Sequence, residues 1–341
     1  MGRTLEKNKL SRLEPVQTQL LLIRPRPLDD ELFSSWLVRL AWSNGEKLHS
    51  FCRWRLGINR QFWYGDPDRR AQLDAIEKSA AASCLTFERV FAATLASYEG
   101  VLYERHVNHG VSRWIMPIGT RARTHSLHGQ QYCVECLRED SMPYFRRAWR
   151  LALMVACVKH GQILRDACPV CGAPIAFHEG DYARRFMSDA CPIFLCSRCG
   201  CDLRLHGGIS ANRGLLKLQD ALVNALHMQW FSFESWRPLF SISLFNGLHF
   251  LLRILASSGH LSVIRDSLLH DKSLLLLTLP YKNEATRFEN LRIGDRYHLM
   301  QLIAELMEDW PRRFVRHLQT YRHFQLVFTG LQTSLPVLAR I

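Results

Sequence analysis

Cys133-Val-Glu-Cys136, Cys157-Val-Lys-His160, Cys168-Pro-Val-Cys171 and Cys196-Ser-Arg-Cys199 follow one another within 67 residues at the centre of the chain. A pair of thiolates, or a thiolate and an imidazole, at this spacing presents two soft ligands to one tetrahedral ion. Two such pairs complete its coordination. Taken in order, Cys133, Cys136, Cys157 and His160 form one set and Cys168, Cys171, Cys196 and Cys199 a second, with 20 and 24 residues between the pairs. The expected cofactor is Zn2+, as two structural ions. With all four positions supplied by protein, neither ion keeps a place for water, which argues against metal catalysis. Gly172 and Gly200 follow the second thiolate of their pairs, where the missing Cβ lets backbone amides turn toward sulfur. Cys191 and Cys201 are surplus, and Cys191 in place of Cys196 would also leave the second set tetrahedral. Cys52 and Cys84 read as buried thiols.

Outward from this centre the chain reads as globular, with 48% hydrophobic and 22% charged residues in 341. That length suits two or three domains. Lys and Arg number 44 against 31 Asp and Glu, a net charge of +13. Such a field favours phosphate-bearing partners and raises their encounter rate. Residues 1–20 carry Arg3, Glu6, Lys7, Lys9, Arg12 and Glu14 with no apolar core, unlike a secretory signal. The longest aliphatic run, Leu274 to Leu279, is far short of a membrane span. The expectation is a cytoplasmic protein, with thiolates kept reduced on zinc and no membrane partner.

The flanks read as helices. After Arg24-Pro25-Arg26-Pro27, Asp29 or Asp30 is placed to cap a helix with Leu32, Phe33, Trp36, Leu37 and Leu40 on one face. Ser43-Asn44-Gly45 breaks it, and Glu46 to Leu56 continues as a second helix, making a helix-turn-helix candidate. Arg53, Trp54, Arg55, Arg60 and Phe62-Trp63 interleave cations with aromatics just beyond. A second pair covers Ala71 to Ala82 and Phe87 to Ser97, with Thr86 as its cap and Arg89 in its exposed turn. Helices are expected again over Leu215 to Phe231, Ser241 to Ser257, Leu261 to Leu269 and Leu299 to Leu306. Trp310-Pro311 leads into a last one, Arg312 to Gly330. The fold class is therefore mainly α: an N-terminal helix-turn-helix-like domain (1–130), a central tandem zinc-binding module (131–206) and a C-terminal helical domain (207–341). Residues expected to touch nucleic acid or a larger complex are Lys47, Arg53, Arg55, Arg60, Arg89, Arg312, Arg313 and Arg316.

Motifs for chemistry are missing. His106/His109 and His125/His128 are HxxH pairs without a third ligand at catalytic spacing, and read as loop histidines. There is no His-x-Glu with Pro-Cys-x-x-Cys, as a zinc deaminase needs. Nor is there a phosphate-binding G-x-x-x-x-G-K-[ST] or a nucleophile G-x-S-x-G. Asp29-Asp30-Glu31 reads as acids answering the positive end of the first helix.

Pro27-Leu-Asp-Asp-Glu31-Leu-Phe-Ser-Ser35-Trp36-Leu37-Val-Arg39-Leu40-Ala41 resembles the opening signature of the TniQ family, P-x-x-x-E-S-L-x-S-W-L-x-R-L-A. Phe33-Ser34 is a modest departure from its usual Glu-Ser-Leu. Tyr132-Cys133-Val-Glu-Cys136-Leu137, Trp149, Cys157-x2-His160-Gly161, Leu164 and Cys168-Pro169-x-Cys171-Gly172 are similar too, so the resemblance covers about residues 20–200. The C-terminal third resembles the family only loosely, through Arg296 to Pro311. The resemblance implies target selection for a transposon with a multi-protein transposase, as in TnsD-like relatives, with no catalytic step. It further implies a target DNA bound directly or through a CRISPR effector complex, an AAA+ ATPase as partner, and a homodimer as in CRISPR-associated members. From the residues alone, a sequence-specific DNA-binding regulator remains an alternative.

Overall fold

A computed structural model of the chain describes residues 20–110, 112–121, 124–180, 191–232, 238–256, 287–310 and 312–313. Among these the protein is mainly α-helical, and its strands form three short antiparallel hairpins. The helices are α1 (Phe33–Ser43), α2 (Leu48–Trp54), α3 (Pro67–Arg70), α4 (Leu73–Ser83), α5 (Phe87–Phe91), α6 (Val134–Glu139), α7 (Arg213–Met228), α8 (Ser241–Leu255) and α9 (Ile293–Glu308). The hairpins are β1–β2 (Thr120–Arg121, Thr124–His125), β3–β4 (Ala156–Cys157, Gln162–Ile163) and β5–β6 (Trp230–Phe231, Leu239–Phe240).

Helix α1 is buried on every side from Phe33 to Ala41, which makes it a central helix and not an amphipathic one. Its polar residues therefore need buried partners. Ser34 donates through its backbone N–H (2.8 Å) and its hydroxyl (2.6 Å) to Asp68 of α3. Arg39 makes a bidentate pair with Glu31 at 2.7 and 2.6 Å and donates to the Arg26 carbonyl. Glu31 also accepts from the Leu28 N–H and the Ser35 hydroxyl, and Ser35 Oγ in turn accepts from the Phe145 N–H. Trp36 Nε1 donates to the Pro25 carbonyl. The expected caps are corrected here: Leu32 holds the N-cap position and no side chain caps α1. Asp30 sits at φ +55° and accepts from the Ala148 N–H, with Arg147 3.2 Å away. Glu31 serves Arg39. The acids join segments far apart in sequence, and a local helix dipole does not explain them.

The turn between α1 and α2 is tight, with Gly45 at φ +71°. Helix α4 ends at Cys84, which adopts the left-handed conformation and is exposed, so it is not the buried thiol expected. Thr86 does cap α5, accepting from the Arg89 N–H. That helix stops at Phe91 instead of Ser97. The Thr94 hydroxyl returns to the Phe91 carbonyl (2.7 Å), and the chain proceeds as a 3-10 turn over Leu95–Tyr98. Helix α7 ends at Met228, where Gln229 at φ +64° turns the chain into β5. Arg313 donates back to the Glu305 carbonyl and to Glu308, answering the negative end of α9. The helix expected over 261–269, the run 274–279, and the last helix beyond Arg313, with Arg316, lie outside the described residues.

One continuous cluster of buried apolar side chains extends from Leu21 to Leu306. Buried polar groups join the C-terminal helices to the centre. Gln219 of α7 accepts from the Val155 and Ala156 N–H groups and donates to the Leu153 carbonyl. Arg296 of α9, fully buried, donates to the carbonyls of Leu291 and Ala152 and to Gln131. Burial lowers its pKa to about 10. Arg292 holds Asp166 at 3.0 and 3.1 Å. Near the N-terminal helices, the guanidinium of buried Arg150 spans Asp66 and the carbonyls of Gly129 and Met116. No described helix is long and apolar enough to cross a membrane.

Candidate metal centres

The structure brings the eight spaced ligands into two groups. In each, one donor atom from every residue lies within 4.8 Å of all the others. The first group comprises Cys133, Cys136, Cys157 and His160, and the second Cys168, Cys171, Cys196 and Cys199. Separations inside them test whether a tetrahedral ion fits. Ligands about 2.3 Å (S) and 2.0–2.1 Å (N) from such an ion lie about 3.75 Å (S···S) and 3.5 Å (S···N) apart. Cys136 and Cys157 sulfurs are 3.7 Å apart, Cys168 and Cys199 3.6 Å, and Cys171 and Cys196 3.7 Å. His160 Nδ1 stands 3.4, 3.3 and 3.5 Å from Cys133, Cys136 and Cys157. These separations match the edges of a four-ligand tetrahedron, and a disulfide would need about 2.05 Å. The donor sets fit a soft or borderline divalent ion with no open position.

Local backbone explains why the spacing works. In three of the four pairs the N–H of the following glycine returns to the first ligand's carbonyl: Gly161 to Cys157 (2.8 Å), Gly172 to Cys168 and Gly200 to Cys196 (both 2.9 Å). These glycines have φ of +61°, +68° and +72°, a conformation that other residues rarely adopt. Each turn aims N–H groups at sulfur. Burial would raise the Cys168 thiol, but the N–H groups of Cys171 and Val170 bring it down to about 7. The Cys133–Cys136 pair differs, since Cys133 is the N-cap of α6 and Cys136 lies in its first turn. The chain continues helically there, so Leu137 follows where the other pairs have glycine.

The neighbouring Cys133 and Cys136 sulfurs hold the Cys157 thiol well below its ordinary value. His160 is oriented by Glu139, whose carboxylate lies 3.0 Å from Nε2 and 2.8 Å from Lys159 Nζ. An Nε2–H directed at Glu139 leaves Nδ1 as the lone-pair donor facing the three sulfurs. Sequence reading missed Glu139, whose one signal is its place on α6 three residues after Cys136. The two centres differ in exposure. The three cysteines of the first are buried, whereas Cys171 is half-buried and Cys199 exposed in the second. Cys191 and Cys201 belong to neither set, and Cys201 Sγ lies 3.8 Å from His206 Nε2.

The cations expected to meet a partner separate into distinct environments. Arg53 is exposed, with its guanidinium 4.8 Å above the ring of Trp54. Arg60 is exposed at the start of the 3-10 turn Arg60–Tyr64. Arg55 pairs with Glu46 at 2.5 Å, Arg89 donates to the Pro27 carbonyl, and Lys47 is the N-cap residue of α2. Arg312 is exposed, whereas Arg313 is engaged at the end of α9. The interleaved aromatics need correcting: Phe62 and Trp63 are core residues, and Trp63 stacks on His178 at 5.3 Å. Trp54 alone of that group stands out, 73% exposed. His106 is half-buried between Tyr103 Oη and the Arg69 carbonyl, and His128 faces the Asp166 carbonyl, so both serve the fold.

Helices stapled at the centre by two closed Cys/His clusters, with a buried Glu–Arg fastener on the first helix, define a protein built around structural metal sites. Residues 22–164 match the family model TniQ, and over this stretch the chain is similar to the TniQ family. That family is associated with target selection in DNA transposition and is in general non-catalytic. The matched stretch contains the signature residues of α1 and the whole first metal cluster, while the second cluster lies beyond it. No curated protein matches the chain.

Proposed function

We propose that the protein is a target-selection adaptor for a DNA transposition system, linking a target to an AAA+ ATPase that delivers the transposase. The observation that carries this reading is the TniQ match over residues 22–164, on a stretch holding both the helical signature and a closed four-ligand cluster. Each cluster holds one Zn2+, which ties segments more than twenty residues apart and contributes about 10–16 kcal/mol of apparent folding free energy. The ions keep the helical flanks in fixed relation, and recognition falls to the surface. The target is DNA, met directly or within a guide-RNA effector complex, and the net charge of +13 supports that preference. Arg53, Arg55, Arg60, Lys47 and Arg89 are contact residues toward that target, and Arg312, Arg313 and Arg316 are contact residues toward the larger complex. The three-part organisation, 1–130, 131–206 and 207–341, assigns target recognition to the first part and ATPase docking to the last. The protein acts in the cytoplasm.

Reconstitution tests the reading. The full chain, an AAA+ transposition ATPase and target DNA or effector complex are combined, and ATPase loading at the target is measured with and without the chain. Chain-dependent loading is the expected result. Specific duplex binding by the chain alone, with no ATPase recruited, would favour a DNA-binding regulator instead.

A further inference from the structure

Trp54 presents an indole to solvent at the end of α2, 73% exposed, whereas Phe51, Phe62 and Trp63 are buried and Tyr64 is 44% exposed. Beside it lies a cavity of about 400 Å³ lined by Arg53, Gly57, Ile58, Asn59 and Arg60. The loop that forms it is well held. Ile58 N–H donates to the Cys52 carbonyl, Asn59 Oδ1 accepts from the Gln61 N–H, and Lys78 Nζ donates to the Gly57 carbonyl from behind. Gly57 turns the chain at φ +61°. Among the described residues no ion pair involves Arg53 or Arg60, in contrast to Arg55. The end of α2 and the loop after it thus offer two guanidinium groups that make no ion pair among the described residues, beside an exposed indole with Arg53 over one of its faces.

We propose that this surface binds unpaired nucleotides, with a base stacked on Trp54 and the adjoining phosphates held by Arg53 and Arg60. The proposal deepens the target-recognition reading above and rests on it for the partner class, nucleic acid. Charge selects the partner, since guanidinium groups suit phosphate oxygens through planar paired donors. The indole selects the strand state. A base offers its face only when it is unstacked, because neighbours cover both faces within a duplex. Groove reading fits poorly here. A recognition helix contacts bases through its N-terminal residues, whereas seven-residue α2 carries Arg53 and Trp54 at its C-terminal end and buries Leu48 at its start. An unpaired strand, such as one displaced when a target duplex opens, meets these requirements.

The test uses the full-length metal-loaded chain and fluorescence anisotropy with a labelled mixed-sequence 20-nucleotide single strand, its duplex, and a strand with abasic sites at its centre. Base–aromatic stacking predicts that Trp54→Ala weakens single-strand binding about 5- to 100-fold, with Trp54→Phe retaining most of it. The abasic strand should bind the wild type about as weakly as the intact strand binds Trp54→Ala. Arg53→Ala/Arg60→Ala should reduce the salt slope by about 1.4, at about 0.7 per cation on a single strand. Metal content and melting temperature of each variant, unchanged for residues this exposed, show that the fold is intact. Single-strand affinity within twofold of wild type in Trp54→Ala, or equal binding of the abasic strand, would overturn the proposal. So would loss of ATPase capture or self-association at unchanged strand affinity, which would assign the surface to a protein. Failure of ATPase recruitment with the strand results intact would sink the adaptor reading alone.

Discussion

Arg39 of α1 and Glu31, two residues before that helix, sit in the stretch that carries the family resemblance, and the structure makes them a fastener of the fold. Arg39→Met removes a guanidinium from a site where its partner Glu31 has a side-chain exposure of 0%. The bidentate bonds of 2.6 and 2.7 Å disappear, as does the bond to the Arg26 carbonyl. Glu31 is left charged and buried with only the Leu28 N–H and the Ser35 hydroxyl. Breaking such a pair from one side costs about 3–5 kcal/mol. At roughly 2 °C per kcal/mol for a chain of this size, the melting temperature falls by about 6–10 °C. Glu31→Leu alone should cost a similar amount, since it strands Arg39 instead. The double variant should cost clearly less than the sum, because two apolar side chains leave no unpaired charge; the residue is about 1–3 kcal/mol for the donors that lose Glu31. Thermal melts of the four proteins under constant metal and buffer close the cycle. Additive losses, or single variants within 1 kcal/mol of wild type, would refute the fastener.

Elemental analysis should find two zinc ions per chain, with Cys136→Ser retaining at most one and losing the central fold. Cys199→Ser should lose the second ion while leaving the first in place, because its ligand is exposed; thiol alkylation under chelator, read by mass spectrometry, should label Cys199 and Cys171 before Cys133 and Cys136. Cys201→Ser should keep both ions, and a drop to one would move Cys201 into the ligand set. For pH, burial and the neighbouring Asp66 raise the Asp68 carboxyl from its usual range to about 6. The folded state therefore binds this proton more tightly than the unfolded chain. Stability is fully supported below the ordinary carboxylate value near 4 and declines as pH rises through about 6. Asp68→Asn should flatten that limb in melts between pH 4 and 7, and an unchanged profile would count against the assignment.

The metal-site groupings were legible early because they are local. Residues three apart in a tight turn converge whatever the rest of the chain does, and cysteine chemistry leaves few other reasons for four such pairs. Helices with long apolar periods, such as α7 and α8, were legible for the same reason, although their ends moved by a few residues. Helix α5 was overread because Thr94 caps the Phe91 carbonyl with its own hydroxyl, a competition that periodicity does not register.

Charged residues show where local reading stops. Arg39, Arg150 and Arg296 are written in the same alphabet as Arg53 and Arg60, yet the first three are buried and the last two exposed. For Arg150 and Arg296 what separates them is a partner far along the chain: Asp66 lies 84 residues from Arg150, and the Ala152 carbonyl 144 residues from Arg296, whereas Arg39 finds Glu31 only 8 residues away. Burying a guanidinium is tolerable only when such acceptors arrive together, and nothing in a short window reports that. The amino-acid sequence by itself determined a helical protein stapled at two four-ligand sites, because spacing and side-chain chemistry act over a few residues. The tertiary structure alone decided which cations fasten the fold, that Glu139 orients His160, and that Trp54, not Phe62 or Trp63, faces solvent. Those outcomes depend on long-range packing, where each side chain's surroundings come from distant segments.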